Sequence, residues 1–340
     1  MCLHTIIAAC YRRCLHAICC ITCAVALAMT GIGLMQPALA NDVAGKGYQL
    51  RQIGDGVYFL SDTAYNTIFV VSDQGVIVVD PLPTLGKKYL QAIAEVTTQP
   101  VTHIIYSHEH LDHIGAASLF PAGAHIIAQA ETKRSLDRLH DPRRPSPDIS
   151  FEHAYRLEVG NQLLELAYTG PNHAPGNIFI HLPRQKILML VDVIYPGYAP
   201  YPNLGVSTDI GGTIRINRQA LDYDFQTFVG GHVGNTGNRA DIETSLAFLT
   251  AVEETARQVL AEKTFPDYLK TTGLATAGES WFAHDDYEQD RVNACYTRLL
   301  PVWELRLKGL ARSLKSHCWS MIVGLAIALP PGTVTDDKAH

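Results

Sequence analysis

The sequence contains 340 residues, of which 47% are hydrophobic and 18% are charged, and its formal net charge is −6. This balance is typical of a folded globular protein, and it excludes a disordered chain, which has fewer apolar residues and a larger net charge. The mild acidity argues against nucleic acid as a partner, because proteins that bind nucleic acid usually present a basic face.

The first 40 residues are predicted to form a secretory signal peptide. They contain no Asp or Glu, and two arginines precede a long apolar run over residues 14–35. Residues 37–40 then form a small-x-small motif, which predicts cleavage after Ala40 and a secreted or periplasmic mature chain without a membrane span. The alternative is an uncleaved membrane anchor, because the apolar run is long enough to cross a bilayer.

The cysteines fit an exported protein. Six of the eight lie in the predicted signal peptide, so the mature chain keeps Cys295 and Cys318. An even number of cysteines in an oxidising compartment predicts a disulfide between these two residues. The alternative is a pair of buried free thiols.

The mature chain begins with residues that favour strands. Short apolar runs alternate with turns over residues 48–80 and predict a β-meander. Apolar residues then recur at helical spacing from 86 to 96, and a further strand at 101–106 leads directly into a histidine-rich segment. Additional strands are predicted at 124–128, 163–168, 177–182 and 186–191. Two segments are predicted to be loops: the polar, Pro-rich residues 134–150 and the Tyr-, Pro- and Gly-rich residues 195–217.

The C-terminal third favours helices. Residues 241–263 show the apolar spacing of an amphipathic helix, and helical character resumes over 284–315. Residues 319–329 are apolar but too few to cross a membrane. This order predicts one α/β domain over residues 41–265, followed by a helical C-terminal extension over residues 266–340.

Residues 107–113 read Ser-His-Glu-His-Leu-Asp-His and contain four side chains that bind metals. In a loop between a strand and a helix, His108 and His110 can turn toward one point, while Asp112 and His113 aim at a second point nearby. Neutral imidazole and carboxylate oxygen are suitable ligands for Zn²⁺. Four such groups at the end of a strand are costly to bury without a metal.

Three further candidate ligands occur later in the chain. His173 lies in a Gly/Pro turn between strands, Asp192 ends an apolar strand, and His232 ends another and opens into glycine. The repeated placement of such residues at strand ends disfavours the alternative, a solvated histidine-rich loop.

The H-x-H-x-D-H signature and the order of the later ligands resemble those of the metallo-β-lactamase-fold hydrolase superfamily, over roughly residues 50–265. The resemblance implies an αβ/βα four-layer sandwich with two metals at one edge between the sheets. It implies a first metal bound by His108, His110 and His173, a second bound by Asp112, His113 and His232, and Asp192 as a bridge between them. It also implies that Asp80, which ends an early strand, orients a ligand rather than binding metal.

This ligand set predicts hydrolysis of a small-molecule substrate. Two Zn ions, with Fe or Mn as alternatives, would lower the pKa of a shared water toward about 7. The resulting hydroxide, oriented in part by Asp112 as a catalytic residue, would attack an ester, thioester, lactone, phosphoester or related bond. Tyr195, Tyr198 and Tyr201 are candidates for an aromatic wall beside the substrate, although they could instead pack only within their own loop.

Other functions remain compatible with the pattern. A β-lactam-hydrolysing enzyme is disfavoured, because Asp192 occupies the position where class B β-lactamases usually carry Cys or Ser. An iron-dependent sulfur dioxygenase-like oxidoreductase would use a similar scaffold. A non-catalytic metal-binding protein is disfavoured because all seven ligands are present. No feature of the sequence fixes the oligomeric state.

Overall fold

Two β-sheets form the centre of the structure, a computed structural model that describes residues 45–274 and 280–328. The predicted signal peptide lies outside the described residues. The first sheet contains, in spatial order, β1 (Gln49–Gly54), β2 (Val57–Ser61), β3 (Asn66–Ser72), β4 (Gly75–Val79), β5 (Val101–Ile105), β6 (His125–Gln129) and β7 (Ile149–Phe151). The second sheet contains β8 (Ala154–Val159), β9 (Gln162–Ala167), β10 (Phe179–Leu182), β11 (Ile187–Leu190) and β12 (Thr227–Val229). Its spatial order is β12-β11-β10-β9-β8.

Helices cover the outer faces of the sheets. They are α1 (Lys87–Ala94), α2 (Leu111–Ile114), α3 (Ala130–Leu139), α4 (Pro202–Val206), α5 (Ile210–Ala220), α6 (Arg239–Glu262), α7 (Phe265–Thr272), α8 (Ser280–Trp303) and α9 (Leu310–Ala328). The short α4 is an irregular turn, because Asn203, Leu204 and Gly205 all have left-handed backbone conformations. Within the two described ranges, every helix is too short or too polar to traverse a bilayer.

Apolar side chains fill the space between four layers. Ile105 of the first sheet and Met189 of the second belong to one buried cluster between the sheets. Tyr89 of α1 packs in a second cluster on the outer face of the first sheet. Ile216 of α5 and Ile242 of α6 close a third cluster on the outer face of the second sheet. Strands buried on both faces need the near-continuous apolar runs seen in the sequence. The four-layer αβ/βα fold class is therefore confirmed.

The predicted helical C-terminal extension is present and packs on α6. Val252 of α6, Leu299 of α8 and Leu314 of α9 share one buried cluster. Cys295 of α8 and Cys318 of α9 are joined by a disulfide inside this cluster, and both residues are 0% exposed. The same cluster includes residues 199 and 204, so the extension contacts the segment that follows Asp192.

The loop prediction for residues 134–150 is wrong at both ends, because α3 continues to Leu139 and β7 begins at Ile149. The Gln129 side chain accepts a hydrogen bond from the Glu131 N–H, and Leu136 buries one face of the helix. His140 then ends α3 with a left-handed φ of 48°. The prolines after α3 dominate the composition of residues 134–150. That composition therefore does not reveal the last turns of α3, whose start is stabilised by a cap.

The loop prediction for residues 195–217 is wrong from Ile210 onward, where α5 begins. The Asp209 carboxylate accepts a hydrogen bond of 2.7 Å from the Gly212 N–H and caps the helix. Gly212 is required by a close approach, since a Cβ at this position would lie 1.9 Å from the Pro171 carbonyl oxygen. Gly212, which was predicted to lie in a loop, therefore allows the start of α5 to pack closely against the turn before His173.

Candidate metal centre

The predicted metal ligands lie at the carboxyl ends of strands from both sheets. His108 and His110 follow β5, and α2, which comes next in the chain, carries Asp112 and His113. The remaining ligands follow β9, β11 and β12 of the second sheet. Because β11 and β12 are parallel, their carboxyl ends meet at one edge of that sheet. The fold therefore brings residues that are up to 124 positions apart in sequence to one place.

The structure brings all seven predicted ligands together in two groups of four that share Asp192. In each group, one ligand atom from every residue lies within 4.8 Å of the others. The first group contains His108, His110, His173 and Asp192, and the second contains Asp112, His113, Asp192 and His232. This division is the one that the resemblance implies.

The Asp192 carboxylate lies between four imidazoles. Its Oδ1 is 2.9 Å from Nε2 of His232, and its Oδ2 is 3.0, 3.4 and 3.8 Å from Nε2 of His113, His173 and His108. Asp192 has a left-handed φ of 63°, a conformation that is uncommon for residues other than glycine. A buried anion in this position faces both groups at once.

Close packing beside Asp192 also depends on a glycine. A Cβ at Gly231 would lie 2.6 Å from Asp192 Oδ1 and 3.0 Å from a ring carbon of His113. Gly231 immediately precedes His232, so its small size allows the end of β12 to approach the carboxylate. Any side chain there would displace either the Asp192 carboxylate or the His113 ring.

The residues fit a pair of metal ions, because several buried ligand atoms lack a hydrogen-bond partner. These atoms are Nε2 of His108, Nε2 of His113 and Oδ1 of Asp192. Each lies near an atom of opposite polarity without the alignment of a hydrogen bond. Unsatisfied buried polar atoms are costly, and metal coordination would satisfy them. The donors are nitrogen and oxygen without thiolate, a set that suits Zn²⁺, Fe or Mn.

The electrostatics of the site are dominated by burial and by Asp192. Burial and the neighbouring imidazoles hold the pKa of His108 well below its ordinary value. Burial would also lower the pKa of His113, but Asp192 and nearby carboxylates raise it to about 9. Burial alone would raise the pKa of Asp192, but the surrounding histidines hold it well below its ordinary range. Asp192 therefore stays ionised at the centre of the site, and among its neighbours His113 is the one whose protonated form it favours.

Asp80 lies behind the first group and acts through Ser107. Its carboxylate accepts hydrogen bonds from the Ser107 N–H at 2.7 Å and the Ser107 hydroxyl at 2.6 Å. The Ser107 oxygen is 2.9 Å from Nδ1 of His108. Asp80 also lies 3.9 Å from Nδ1 of His113. These contacts hold the rings of two candidate ligands, and burial raises the pKa of Asp80 to about 6.

Replacing Asp80 with asparagine should weaken metal binding about 10- to 100-fold, the usual effect of removing a group that orients a ligand. Asparagine keeps the shape of the side chain, but only its amide oxygen can accept a hydrogen bond, so one of the two bonds from Ser107 is lost. Titration with zinc in competition with a chromogenic chelator measures the change. Asp148→Asn is the matched control, because Asp148 also accepts a backbone N–H bond and pairs with a histidine, at an exposed position. A change below twofold for Asp80→Asn would contradict this role.

His173 is oriented by the short α4 turn. The C-terminal extension contacts this turn and holds it in place. Its Nδ1 donates a 2.7 Å hydrogen bond to the Gly205 carbonyl oxygen. The adjacent Leu204 N–H donates a 3.1 Å bond to Nδ1 of His317 in α9. Burial lowers the pKa of His317 to about 4, which keeps this ring neutral and able to accept the bond. No sequence pattern points to a role for His317, because its partner lies 113 positions away.

Tyr65 is a second residue that the sequence analysis missed. Its hydroxyl donates a 3.3 Å hydrogen bond to Asp112 Oδ2, and its ring lies 4.5 Å from the ring of His232. Burial and the charge of Asp112 raise the pKa of Tyr65 to about 12. Tyr65 lies in the turn between β2 and β3, and nothing in its local sequence points to a metal site.

A cavity of about 450 Å³ opens beside the second group. His232 and the three predicted substrate-loop residues Tyr195, Tyr198 and Tyr201 line it. The buried Tyr195 ring stacks on His232 with centroids 5.9 Å apart, whereas Tyr201 is 63% exposed. The structure therefore places all three tyrosines along one cavity that reaches a candidate metal ligand.

Comparison with known proteins identifies relatives of several activities. The alpha subunit of 2,4-dinitroanisole O-demethylase from Nocardioides sp. (strain JS1661) is 28% identical over 226 residues, which cover 64% of this chain and 68% of that protein. The N-acyl homoserine lactonase AttM of Rhizobium radiobacter is 30% identical over 111 residues, which cover 28% of this chain and 42% of the lactonase.

Solved structures share the fold, and a family model identifies the family. A metallo-beta-lactamase from Pontibacter korlensis superposes with a TM-score of 0.53 at 22% identity, over 60% of this chain and 99% of that protein. The family model described as the metallo-beta-lactamase superfamily matches residues 60–249, more than half of the sequence. That range contains every candidate metal ligand, and the chain belongs to the metallo-beta-lactamase superfamily.

Proposed function

We propose that this protein is an exported hydrolase that binds two zinc ions and acts on a small-molecule substrate. The observation that carries the proposal is the sharing of one buried carboxylate, Asp192, by two groups of ligand side chains. When bound, two such cations would polarise a substrate oxygen and lower the pKa of a water toward neutrality. His108, His110 and His173 would hold the first ion with Asp192, and Asp112, His113 and His232 would hold the second.

The remaining chemistry belongs to side chains of this chain. Asp112 is the candidate catalytic residue, because 48% of its side chain is exposed whereas Asp192 is almost fully buried. Its carboxylate can accept a proton from an attacking water, and the Tyr65 hydroxyl fixes the orientation of one oxygen. The buried Tyr195 shields one side of His232 from solvent.

An ester or lactone is the first substrate class to test, because the lactonase relative has a carbonyl substrate by name. A second candidate function is cleavage of an aryl methyl ether. It is favoured by the O-demethylase relative, whose similarity extends over 64% of this chain. Both reactions add water across a bond to oxygen, so both suit the same pair of cations.

Two features support export. The predicted signal peptide ends at Ala40, and the described part of the chain contains a disulfide in its buried core. Structural disulfides are typical of secreted and periplasmic proteins. Mass spectrometry of the protein from a periplasmic extract should give a mature N-terminus at Asn41, and an intact Met1 terminus would contradict cleavage.

The protein supplied with zinc should bind about two ions per chain and hydrolyse at least one member of a substrate panel. The panel contains 4-nitrophenyl acetate, N-butyryl homoserine lactone, bis(4-nitrophenyl) phosphate, nitrocefin and 2,4-dinitroanisole. Removal of zinc with dipicolinate should abolish turnover, and added zinc should restore it. Turnover of 2,4-dinitroanisole alone would favour the second candidate. A folded, zinc-supplied protein that binds no metal would overturn the proposal.

A further inference from the structure

The cavity beside His232 has a positively charged side that the extension supplies. Lys308 and Arg312 line it together with Tyr198 and Tyr201. Both cations lie outside residues 60–249, the part of the chain that matches the family model. The extension therefore adds to this cavity a charge that the matched part of the chain does not provide.

Backbone hydrogen bonds fix the position of Lys308 relative to the tyrosines. The Lys308 N–H donates to the Gly197 carbonyl oxygen at 3.1 Å, and the Ala199 N–H donates to the Lys308 carbonyl oxygen at 3.0 Å. These two bonds form a bridge between Tyr198 and Lys308. The Lys308 ammonium group lies 5.2 Å from the centroid of the Tyr198 ring. A cation and an aromatic face are thus held side by side at the wall of the cavity.

Neither cation is neutralised by a carboxylate of the described residues. Among these residues, no Asp or Glu lines the cavity, and neither Lys308 nor Arg312 forms an ion pair. Asp62, close to the lining in sequence, directs its carboxylate to the N–H groups of Ala64 at 2.9 Å and Tyr65 at 2.7 Å. Two uncompensated cations beside apolar and aromatic surface suit an anion attached to an apolar body.

We propose that the substrate carries an anionic group, such as a carboxylate, and that Lys308 and Arg312 bind it. The apolar part of the substrate lies against Tyr198 and Tyr201, and the bond to be cleaved faces His232. This inference rests on the proposed function, because it assigns the substrate class of the same site. It makes the C-terminal extension a determinant of specificity.

Calorimetric titration of the zinc-loaded protein tests the anion site without requiring turnover. The probes are phenylalkanoates from phenylacetate to 5-phenylpentanoate, each compared with its neutral amide. We expect the wild type to bind the best acid about tenfold more tightly than its amide, since charge-assisted hydrogen bonds are stronger than neutral ones. Raising sodium chloride from 0.05 to 0.5 M should reduce this preference several-fold, because both cations are exposed and screened by salt.

The double variant Lys308→Ala/Arg312→Ala should lose the preference for the acid, so that the affinity ratio falls about tenfold. Arg306→Ala is the matched control, because Arg306 belongs to the same segment but lies over the Trp303 ring, 4.0 Å from its centroid. A wild type without preference for the acid, or a preference that survives in the double variant, would overturn the proposal. Because binding is measured independently of hydrolysis, a failure of this anion site can be distinguished from a failure of the proposed hydrolytic function.

Discussion

Replacing Asp192 with asparagine is expected to reduce the metal content from about two ions per chain to one or fewer and to lower turnover at least about a thousandfold. Asp192 is the only residue that belongs to both groups of candidate ligands within the described residues. Asparagine keeps the shape but offers one neutral acceptor, so the amide cannot bind two cations through two anionic oxygens. A thousandfold loss corresponds to about 4 kcal/mol, a reasonable cost for losing the paired arrangement.

Inductively coupled plasma mass spectrometry and turnover of the best panel substrate measure the two effects. Asp224→Asn is the matched control, since Asp224 is 78% exposed and pairs with Lys186 at 3.1 Å. Circular dichroism should show that both variants are folded. Two tightly bound ions in Asp192→Asn would show that Asp192 does not bridge the groups.

The clustering of the candidate ligands could be predicted from the sequence, because strands place residues with a regular geometry. His108 and His110 alternate directly after a buried strand, so their spacing alone puts both side chains at one sheet edge. Asp192 follows another fully buried run, where an ionisable group needs a functional or structural partner. The parallel pairing of β11 and β12 could not be derived from the sequence, and it is this pairing that brings His232 to Asp192.

The residues that support the site were less accessible, because their contacts join distant segments. Tyr65 reaches Asp112 across 47 positions, and His317 reaches Leu204 across 113. A tyrosine in a hairpin turn and a histidine on an apolar helix face carry no local signal of either contact. Lys308 could not be predicted for the same reason, because its position beside Tyr198 depends on how the extension folds back onto the domain.

Removing the disulfide is expected to destabilise the protein by about 3 kcal/mol, which lowers its melting temperature by about 5 °C. Cys295 and Cys318 are 23 positions apart, and closing a loop of this size restricts the unfolded chain by about that free energy. Cys295→Ala/Cys318→Ala removes the cross-link without burying new polar groups. The variant should also bind zinc more weakly, because Cys318 adjoins His317, which holds the turn that orients His173.

Differential scanning calorimetry and zinc titration measure these effects, and reduction separates the cross-link from the packing of the sulfurs. Wild-type protein reduced in denaturant and refolded with dithiothreitol keeps both sulfur atoms but loses the bond. It should melt close to the double variant, whereas dithiothreitol should leave the variant itself unaffected. If the reduced wild type instead melts within about 1 °C of the oxidised protein, the extension is held by its apolar contacts with α6 alone. In that case the cluster around Val252 and Leu314, rather than the disulfide, fixes the turn behind His173.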